Sequence, residues 1–321
     1  VVDRASAYSE LSFHYLTHLD IDNYDTRWRH VQELCLSSYM ESIVHLPCQL
    51  FTSIDLVVLK LSCHRFHWSP LTVFLPCLKV LHLCSLDFLD DGSLKNILSG
   101  CPVLEELEIL TSERGKINTL YICSSTLKKL IIHNHFKESS VQGSVVIKAP
   151  NLESLKLSDT VSRDFEVDEL PALVKATFYV QFCGDDHESS DYYCNAVVRM
   201  LSKASNVQYL WLASSTLKHR DFRTRCYMCQ WSTVPEILPV CLSLSLEKIE
   251  FHGFYGCSKE MKLVRYLLEN AMVLKKLTLG SWSRKKKIKT DLQKYKRGSS
   301  TCQIEFRYQK NRSSVETVEW L

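Results

Sequence analysis

The residue types in this 321-residue chain that could do chemistry are thiols, imidazoles and clustered carboxylates, so their spacing is weighed first. Cys226 and Cys229 form a C-x-x-C pair, which could hold zinc if two further ligands stood at suitable spacing. His219 is near, but the chain has no second C-x-x-C, and the pair reads as two incidental thiols. Cys63, His64 and His67 offer a second set of donors. They directly follow an apolar, alternating run, and we read them as a polar turn beyond a strand. Glu105, Glu106 and Glu108 could supply acid–base chemistry, yet they share one strand-like segment and are expected to line a solvated face. With 9 glycines, the chain has neither G-x-G-x-x-G nor G-x-x-x-x-G-K-[ST], and G-x-S-x-G and H-E-x-x-H are also missing. Nothing here points to catalysis, and no cofactor or metal is expected.

Charge is informative in its distribution. Arg284–Arg297 holds eight basic residues and one acid, a net of +7 in a chain of +3, so the remainder is mildly acidic at −4. Such a run could be a nuclear import signal, a nucleic-acid contact or a solvated helix face. Ile288, Leu292 and Tyr295 are spaced four and three apart, which makes an apolar stripe with the lysines outward. The solvated amphipathic helix is the preferred reading, with electrostatic steering a secondary role.

The elements that position these residues are set by a different pattern. In Cys101–Leu110, CPVLEELEIL, Leu104, Leu107 and Ile109 stand three and then two residues apart, which fits a turn feeding a short strand. The strict pattern Leu-x-x-Leu-x-Leu/Ile occurs seven times, beginning at Leu16, Leu56, Leu78, Leu104, Leu127, Leu152 and Leu274. Looser copies run through Val31–Leu34–Leu36, Leu173–Ala176–Phe178, Val207–Leu210–Leu212 and Leu246–Ile249–Phe251. From Leu34 to Leu277 the central positions advance by a mean of 27 residues, the period of leucine-rich repeats. No unit can bury its leucines unaided, but stacked neighbours can, at about 1.5–3 kcal/mol per side chain.

The return segments include three helical patterns. Ser93–Ser99 follows Asp90, Asp91 and Gly92 and stops at Gly100 and Pro102. Asp191–Ser205 and Ser258–Ala271 carry apolar residues at helical spacing, the second with Ser258 as its expected N-cap. Ile117–Ile122 and Ser144–Ile147 read as additional extended runs. Gln181–Asp191 reads as an exposed loop, and the step lengthens across Lys218–Arg225. Trp231, Pro235 and Pro239 mark a boundary near residue 230. Three regions follow: a repeat solenoid over 1–230, a C-terminal domain over 231–310, and a tail over 311–321.

Hydrophobic residues make up 45% and charged residues 23% of the chain, ordinary for a folded protein. The 14 cysteines lack a repeated spacing and many lie in apolar strand-like runs, so we read them as reduced thiols in the cytosol or nucleus. The sequence has one glycosylation sequon, at Asn311, and no apolar run of about 18 residues that would span a membrane. The N-terminus shows neither a signal-peptide core nor an initiator Met, and reads as the continuation of a longer chain.

Particular stretches carry a family resemblance. They are VQELCLSS at Val31–Ser38, LFTSIDLVVLKLS at Leu50–Ser62, and LKVLHL with DDGSLKNILSGCPVLEELEI across Leu78–Ile109. APNLESLKLSD at Ala149–Asp159 and ELPALVKA at Glu169–Ala176 belong with them, followed by VPEILPVCLSLSLEKIEFHGFYG, EMKLVRYLLENAMVLKKLTL and RGSSTCQIEF. In order and coverage the chain resembles plant F-box/leucine-rich-repeat proteins with a C-terminal FBD domain. The resemblance implies an α/β leucine-rich-repeat solenoid, a curved parallel sheet with helices and irregular returns on its convex side, continued by an FBD-type α/β unit. It also implies recognition of a target protein, in a family whose F-box docks the Skp adaptor of a cullin-based ubiquitin ligase. An F-box would lie before Val2–Asp3–Arg4, so adaptor docking is expected only if one is supplied upstream. The resemblance also implies another repeat, usual in relatives, near Thr216–Met228, where this sequence has a short basic stretch, so a shortened or mis-spliced solenoid is expected.

Strand alternation then names a candidate binding face, because residues between the buried ones point the other way. The row reads Glu33, Lys60, His82, Glu108, Ile131, Lys156, Thr177, Trp211, Glu250 and Thr278, flanked by Tyr179 and Tyr209. Tyr179, Tyr209 and Trp211 form its expected centre, since aromatic residues dominate interface hot spots. The competing reading packs Trp211 under the loop at 213–230. The expected partner is a target protein; membrane is not expected, and a polyanion or nucleic acid at the basic helix is the lesser alternative.

Overall fold

The computed structural model describes residues 10–14, 31–38, 44–45, 48–63, 66–67, 72–84, 91–110, 119–134, 144–159, 164–180, 197–214, 238–281 and 286–308. Outside them lie the Leu16–Leu19–Ile21 triplet, the Gln181–Asp191 loop, the Lys218–Arg225 stretch, Cys226, Cys229, His219, His64, Trp231, Pro235, and the 311–321 tail with Asn311.

Seventeen strands are described. They are β1 (Glu10–His14), β2 (Glu33–Ser38), β3 (Val44–His45), β4 (Val58–Cys63), β5 (Phe66–His67), β6 (Val80–Cys84), β7 (Glu106–Leu110), β8 (Thr119–Cys123) and β9 (Lys129–Asn134). The rest are β10 (Ser144–Lys148), β11 (Ser154–Asp159), β12 (Asp164–Val167), β13 (Lys175–Val180), β14 (Tyr209–Ser214), β15 (Lys248–His252), β16 (Lys276–Ser281) and β17 (Gln303–Tyr308). Helices are α1 (Asp91–Ser99), α2 (described over 197–202), α3 (Val240–Leu244), α4 (Ser258–Asn270) and α5 (Lys286–Gln293). The chain folds as two compact units, Val1–Leu170 and Pro171–Leu321.

In the first unit, β1, β2, β4, β6, β7, β9 and β11 form one parallel run. Leu34, Leu59, Leu81, Leu107, Leu130 and Leu155 are partners in register, and all are buried. Two residues on, Leu36, Leu61, Leu83, Ile109, Ile132 and Leu157 make a second buried ladder. The returns supply the other wall: α1 buries Leu94 and Ile97, and β8, β10 and β12 form a small parallel sheet burying Leu120, Ile122, Val145 and Ile147. Gly100 lies so close to Val73 that a Cβ there would collide with its carbonyl oxygen. This is an α/β leucine-rich-repeat fold.

The second unit repeats the arrangement through β13, β14, β15, β16 and β17, again all parallel. Ala176, Leu210, Ile249, Leu277 and Ile304 are the register partners. Strand β17 is a rung that the spacing analysis did not count, although Ile304 and Phe306 alternate as a strand should. Helix α4 begins where expected, but its N-cap is Cys257 and not Ser258. The physical reason is Glu260, whose buried Oε2 accepts the N–H groups of Tyr255, Gly256 and Cys257 at 3.0, 2.6 and 3.0 Å. Gly256 permits the turn with φ of 73° and leaves room for Ile288. Within α5, Ile288 and Leu292 are buried while Lys289 and Thr290 are exposed, and Lys289 Nζ lies 5.0 Å from the centroid of Phe306.

The repeats are joined by a recurring backbone device. The carbonyls of Gln32, Val57, Lys79, Glu105 and Lys128 each accept two N–H groups from the following turn, at 2.7–3.1 Å. Val174, Gln208 and Glu247 do the same in the second unit. Side chains reinforce it. Thr126, Asn151, Asn206 and Ser245, each just before the first apolar residue of its triplet, donate to carbonyls of the preceding turn at 2.6–3.0 Å.

The carboxylates of β7 correct one expectation. Glu106 and Glu108 do not simply line a solvated face: their side chains are 24% and 14% exposed and both are paired. Replacing Leu107 by Ala should therefore cost about 2–5 kcal/mol, against less than about 1 kcal/mol for Glu106→Ala, read from denaturant midpoints. Equal losses would mean the strand phase is wrong. Glu260→Ala should cost about 2–3 kcal/mol, because three backbone donors lose their acceptor in a buried turn.

Candidate protein-binding face

Alternation along each strand turns one row of side chains away from the core. In the first unit Lys60, His82, Glu108, Ile131 and Lys156 occupy a single register row, as the sequence reading expects. Glu33 does not belong to it. Glu33 is level with Val58, and Cys35 is the residue that aligns with Lys60.

His82 is held between two carboxylates, with Nε2 3.0 Å from Glu106 Oε1 and Nδ1 3.4 Å from Glu108 Oε2. Lys129 Nζ reaches Glu106 at 2.9 Å, and His133 Nε2 lies 3.8 Å from Glu108. Burial alone would raise the Glu106 carboxyl, but Lys129 and His82 outweigh it and hold its pKa below the usual range. Burial, and then the Glu108 carboxylate, push the Cys84 thiol up to about 12. Burial raises Cys101 and Cys241 to the same level, so none of the three is a nucleophile near neutral pH. Among the described residues, the eight cysteines with described side chains form no disulfide, and no cluster of three or more His, Cys, Asp or Glu is arranged to hold a metal ion.

The second unit carries the aromatic part. Trp211 is the register partner of Thr177 and Glu250, and its diagonal neighbours pack tilted rings against it. The Tyr179 ring centroid is 5.0 Å away and that of His252 4.8 Å away. Tyr209 stands two residues before Trp211, with Lys248 Nζ 5.0 Å and Lys175 Nζ 5.7 Å from its ring centroid. Glu250 gathers this group together. It accepts from Lys248 Nζ at 2.8 Å and from the Tyr209 hydroxyl, and His252 Nε2 is 3.6 Å from its other oxygen. Burial alone would raise the Glu250 carboxyl, yet these donors lower it. Tyr209 moves the opposite way: burial, then the bond to Glu250, push its phenol up to about 12.

Trp211, Tyr179 and Tyr209 are all half-buried, so each retains surface for a partner. Thr278 departs from the sequence reading. It follows Glu250 in the row but is 2% exposed, which removes it from any contact surface. Sequence reasoning missed His252, Lys175 and Lys248. The signal for them is the register itself: once Trp211 and Glu250 align, the residues two before and two after share their face.

Two family models match the chain. The family model described as FBD-associated F-box protein At5g56370, LRR repeats, matches residues 25–174, and the FBD model matches residues 234–279. FBD-associated F-box protein At4g10400 of Arabidopsis thaliana is 28% identical over 319 residues, covering 87% of this chain and 75% of that one. F-box/LRR-repeat protein 13 of the same plant is 32% identical, covering 75% of this chain and 64% of its own length. The Arabidopsis F-box/FBD/LRR-repeat protein At1g66290 is 30% identical over 309 residues, 80% of this chain and 67% of the relative. No solved structure matches. No described helix is long and apolar enough to cross a membrane.

Tyr209 offers a test of this geometry. Its folded pKa lies above the ordinary value of 10, so between about pH 10 and 12 the unfolded chain loses the proton first and stability falls as pH rises. In a tyrosinate absorbance titration, subtracting the Tyr209→Phe variant from the native protein should isolate a phenol that ionises near 12. A difference centred near 10 would show that Tyr209 is neither buried nor bonded to Glu250 as described.

Proposed function

The chain belongs to the FBD-associated F-box/LRR-repeat protein family, and from that premise we propose that its strand face is the target-recognising surface of an F-box subunit of a cullin-based ubiquitin ligase. The family's repeats suggest a protein-interaction role. The finer assignment rests on one observation, the half-buried cluster of Tyr179, Trp211 and His252 in the rows of β13, β14 and β15 that alternate with the core ladder. A rigid aromatic group with surface to spare is the usual centre of a protein interface.

In this reading Tyr179, Tyr209, Trp211 and Glu250 form the contact area of the second unit, and Lys60, His82, Glu108 and Lys156 that of the first. The role is non-enzymatic: the chain positions a target, and transfer chemistry belongs to other subunits. A Skp-type adaptor docks only through an F-box joined upstream of Val1. The domain division proposed with it is repeats to residue 230, then an FBD domain to residue 310. Cytosol or nucleus is the proposed location, supported by described cysteines that form no disulfide. Burial of Ile288 and Leu292 favours a packed, solvated α5 over a nucleic-acid helix.

The test has two arms. A purified Skp-type adaptor should bind saturably to the chain preceded by an F-box and not to residues 1–321 by themselves. Proteins whose ubiquitination depends on the F-box-bearing chain identify targets, and Trp211→Ala should weaken target affinity by about 2 kcal/mol or more while leaving the thermal midpoint nearly unchanged. A lost fold with unchanged affinity in the folded fraction would make Trp211 a core residue and overturn the assignment.

A further inference from the structure

The chemistry of the target segment can be read from the charge on this face. In the second unit three register rows alternate with the buried ladders, and Ala213, Thr278 and Gly280 within them are themselves buried. The first holds Lys175, Tyr209, Lys248, Lys276 and Gln303; the second Thr177, Trp211, Glu250, Thr278 and Glu305; the third Tyr179, Ala213, His252, Gly280 and Arg307. Four cations, Lys175, Lys248, Lys276 and Arg307, face two carboxylates. Glu250 is taken by Lys248 at 2.8 Å. Glu305 is shared by Lys276 at 2.6 Å and Arg307 at 3.1 Å. Lys175 is exposed and, among the described residues, has no acidic partner; its one contact is the Tyr209 ring. The face therefore carries two positive charges in excess, placed on either side of Trp211.

The same rows in the first unit are a built-in comparison. There Lys60, Lys129 and Lys156 stand against Glu10, Glu33, Glu106 and Glu108, an excess of one acid by register, and the rows contain no Trp, Tyr or Phe. Aromatic surface and excess positive charge coincide only in the second unit, among the described residues.

We propose that this face binds an acidic protein segment: a stretch of Asp and Glu around one apolar or aromatic residue, which lies on Trp211 while the flanking carboxylates meet Lys175 and the Lys276–Arg307 pair. The inference rests on the reading of the strand face as target-recognising, and names the class of target. A dense polyanion fits less well, because Glu250 and Glu305 stand among the cations. Lys276 and Arg307 hold the Glu305 carboxyl down to about 2, so it stays charged and would repel a run of phosphates. A peptide can turn backbone N–H groups towards these carboxylates and its side-chain carboxylates towards the cations.

The experiment uses fluorescein-labelled peptides with the whole chain, read by polarisation. One carries Asp and Glu around a single Trp; a second has Asn and Gln in their place; a third has Lys and Arg. A single-stranded oligonucleotide is the polyanion probe. The acidic peptide should bind saturably, about tenfold tighter than its amide counterpart, and weaken as salt is raised. Trp211→Ala and the exposed Lys175→Glu should each cost about tenfold, whereas Lys262→Glu, an equal charge change on α4 away from this face, should cost nothing.

Equal binding of the amide peptide, or no binding by any peptide, overturns the proposal. So does oligonucleotide binding that matches the acidic peptide and survives Trp211→Ala. If ubiquitinated targets depend on Trp211 but not on Lys175, the acidic assignment falls and the target-recognising face stands. If neither substitution affects any target, both readings fall.

Discussion

One hydrogen-bonding constraint governs the rest of this molecule: the carbonyl two residues before each strand centre must find its donors in the next repeat. Gln32, Val57, Lys79, Glu105, Lys128, Val174, Gln208 and Glu247 each take two N–H groups from the following turn. A buried carbonyl left without donors is costly, so each turn is incomplete until its successor is in place. That requirement sets the register. With the carbonyl fixed, the residue two positions on, the central Leu, points inward, and the one between is forced outward. The hydrophobic ladders and the polar face are two results of the same bonds.

Side chains follow the constraint in turn. Most of the residues whose carbonyls accept these bonds are exposed, with Val57 and Glu105 half-buried, and Lys79, Glu105 and Lys128 alternate in sign, with Glu105 3.5 Å from Lys79 and 2.8 Å from Lys128. Such exposed pairs contribute little energy each, but like charges in that column would repel at every step. Thr126, Asn151, Asn206 and Ser245 add a side-chain donor at the same seam. Val103 occupies that position before Leu104 and is 37% exposed, with no polar group to offer. The seam at that repeat is closed by the backbone bonds of Glu105 and Glu106 to Lys79.

The repeats were legible because their signal is local: three apolar residues in fixed spacing are buried together, and no long-range information is needed to see them. Strand β17 shows the limit. As the last strand of its run it has a neighbour on one side, its Ile304 and Phe306 are only half-buried, and the apolar residue that should open its triplet is absent, since position 301 is Thr. Strand β1 lies at Glu10–His14, with Leu11 opposite Leu34, ahead of the triplet that the spacing favoured. Caps and ion pairs were less accessible still. Cys257 is a weak capping residue, and its role depends on Glu260 reaching back to three N–H groups. The pairing of Glu106 and Glu108 with His82 joins residues 24 and 26 positions apart and exists only once neighbouring strands are in register. For the face, the outward row could be read from alternation, but the contacts of Trp211 are diagonal, and diagonals follow from register.

Those diagonals explain why a parallel repeat makes a suitable recognition surface. Adjacent strands lie about 4.7–4.9 Å apart, close to the spacing at which rings stack. Tyr179 and His252 flank Trp211 at 5.0 and 4.8 Å without any strand leaving its register. The indole is thereby held before a partner arrives, and the rotamer entropy that binding would otherwise cost has already been lost on folding. Glu250 fixes the remaining neighbours, since it binds Lys248 and Tyr209 and stands within 3.6 Å of His252. A carboxylate buried among donors gains little net stability. Its effect is to keep an aromatic and cationic group in a single arrangement, on the side of the sheet that the backbone bonds of every repeat turn away from the core.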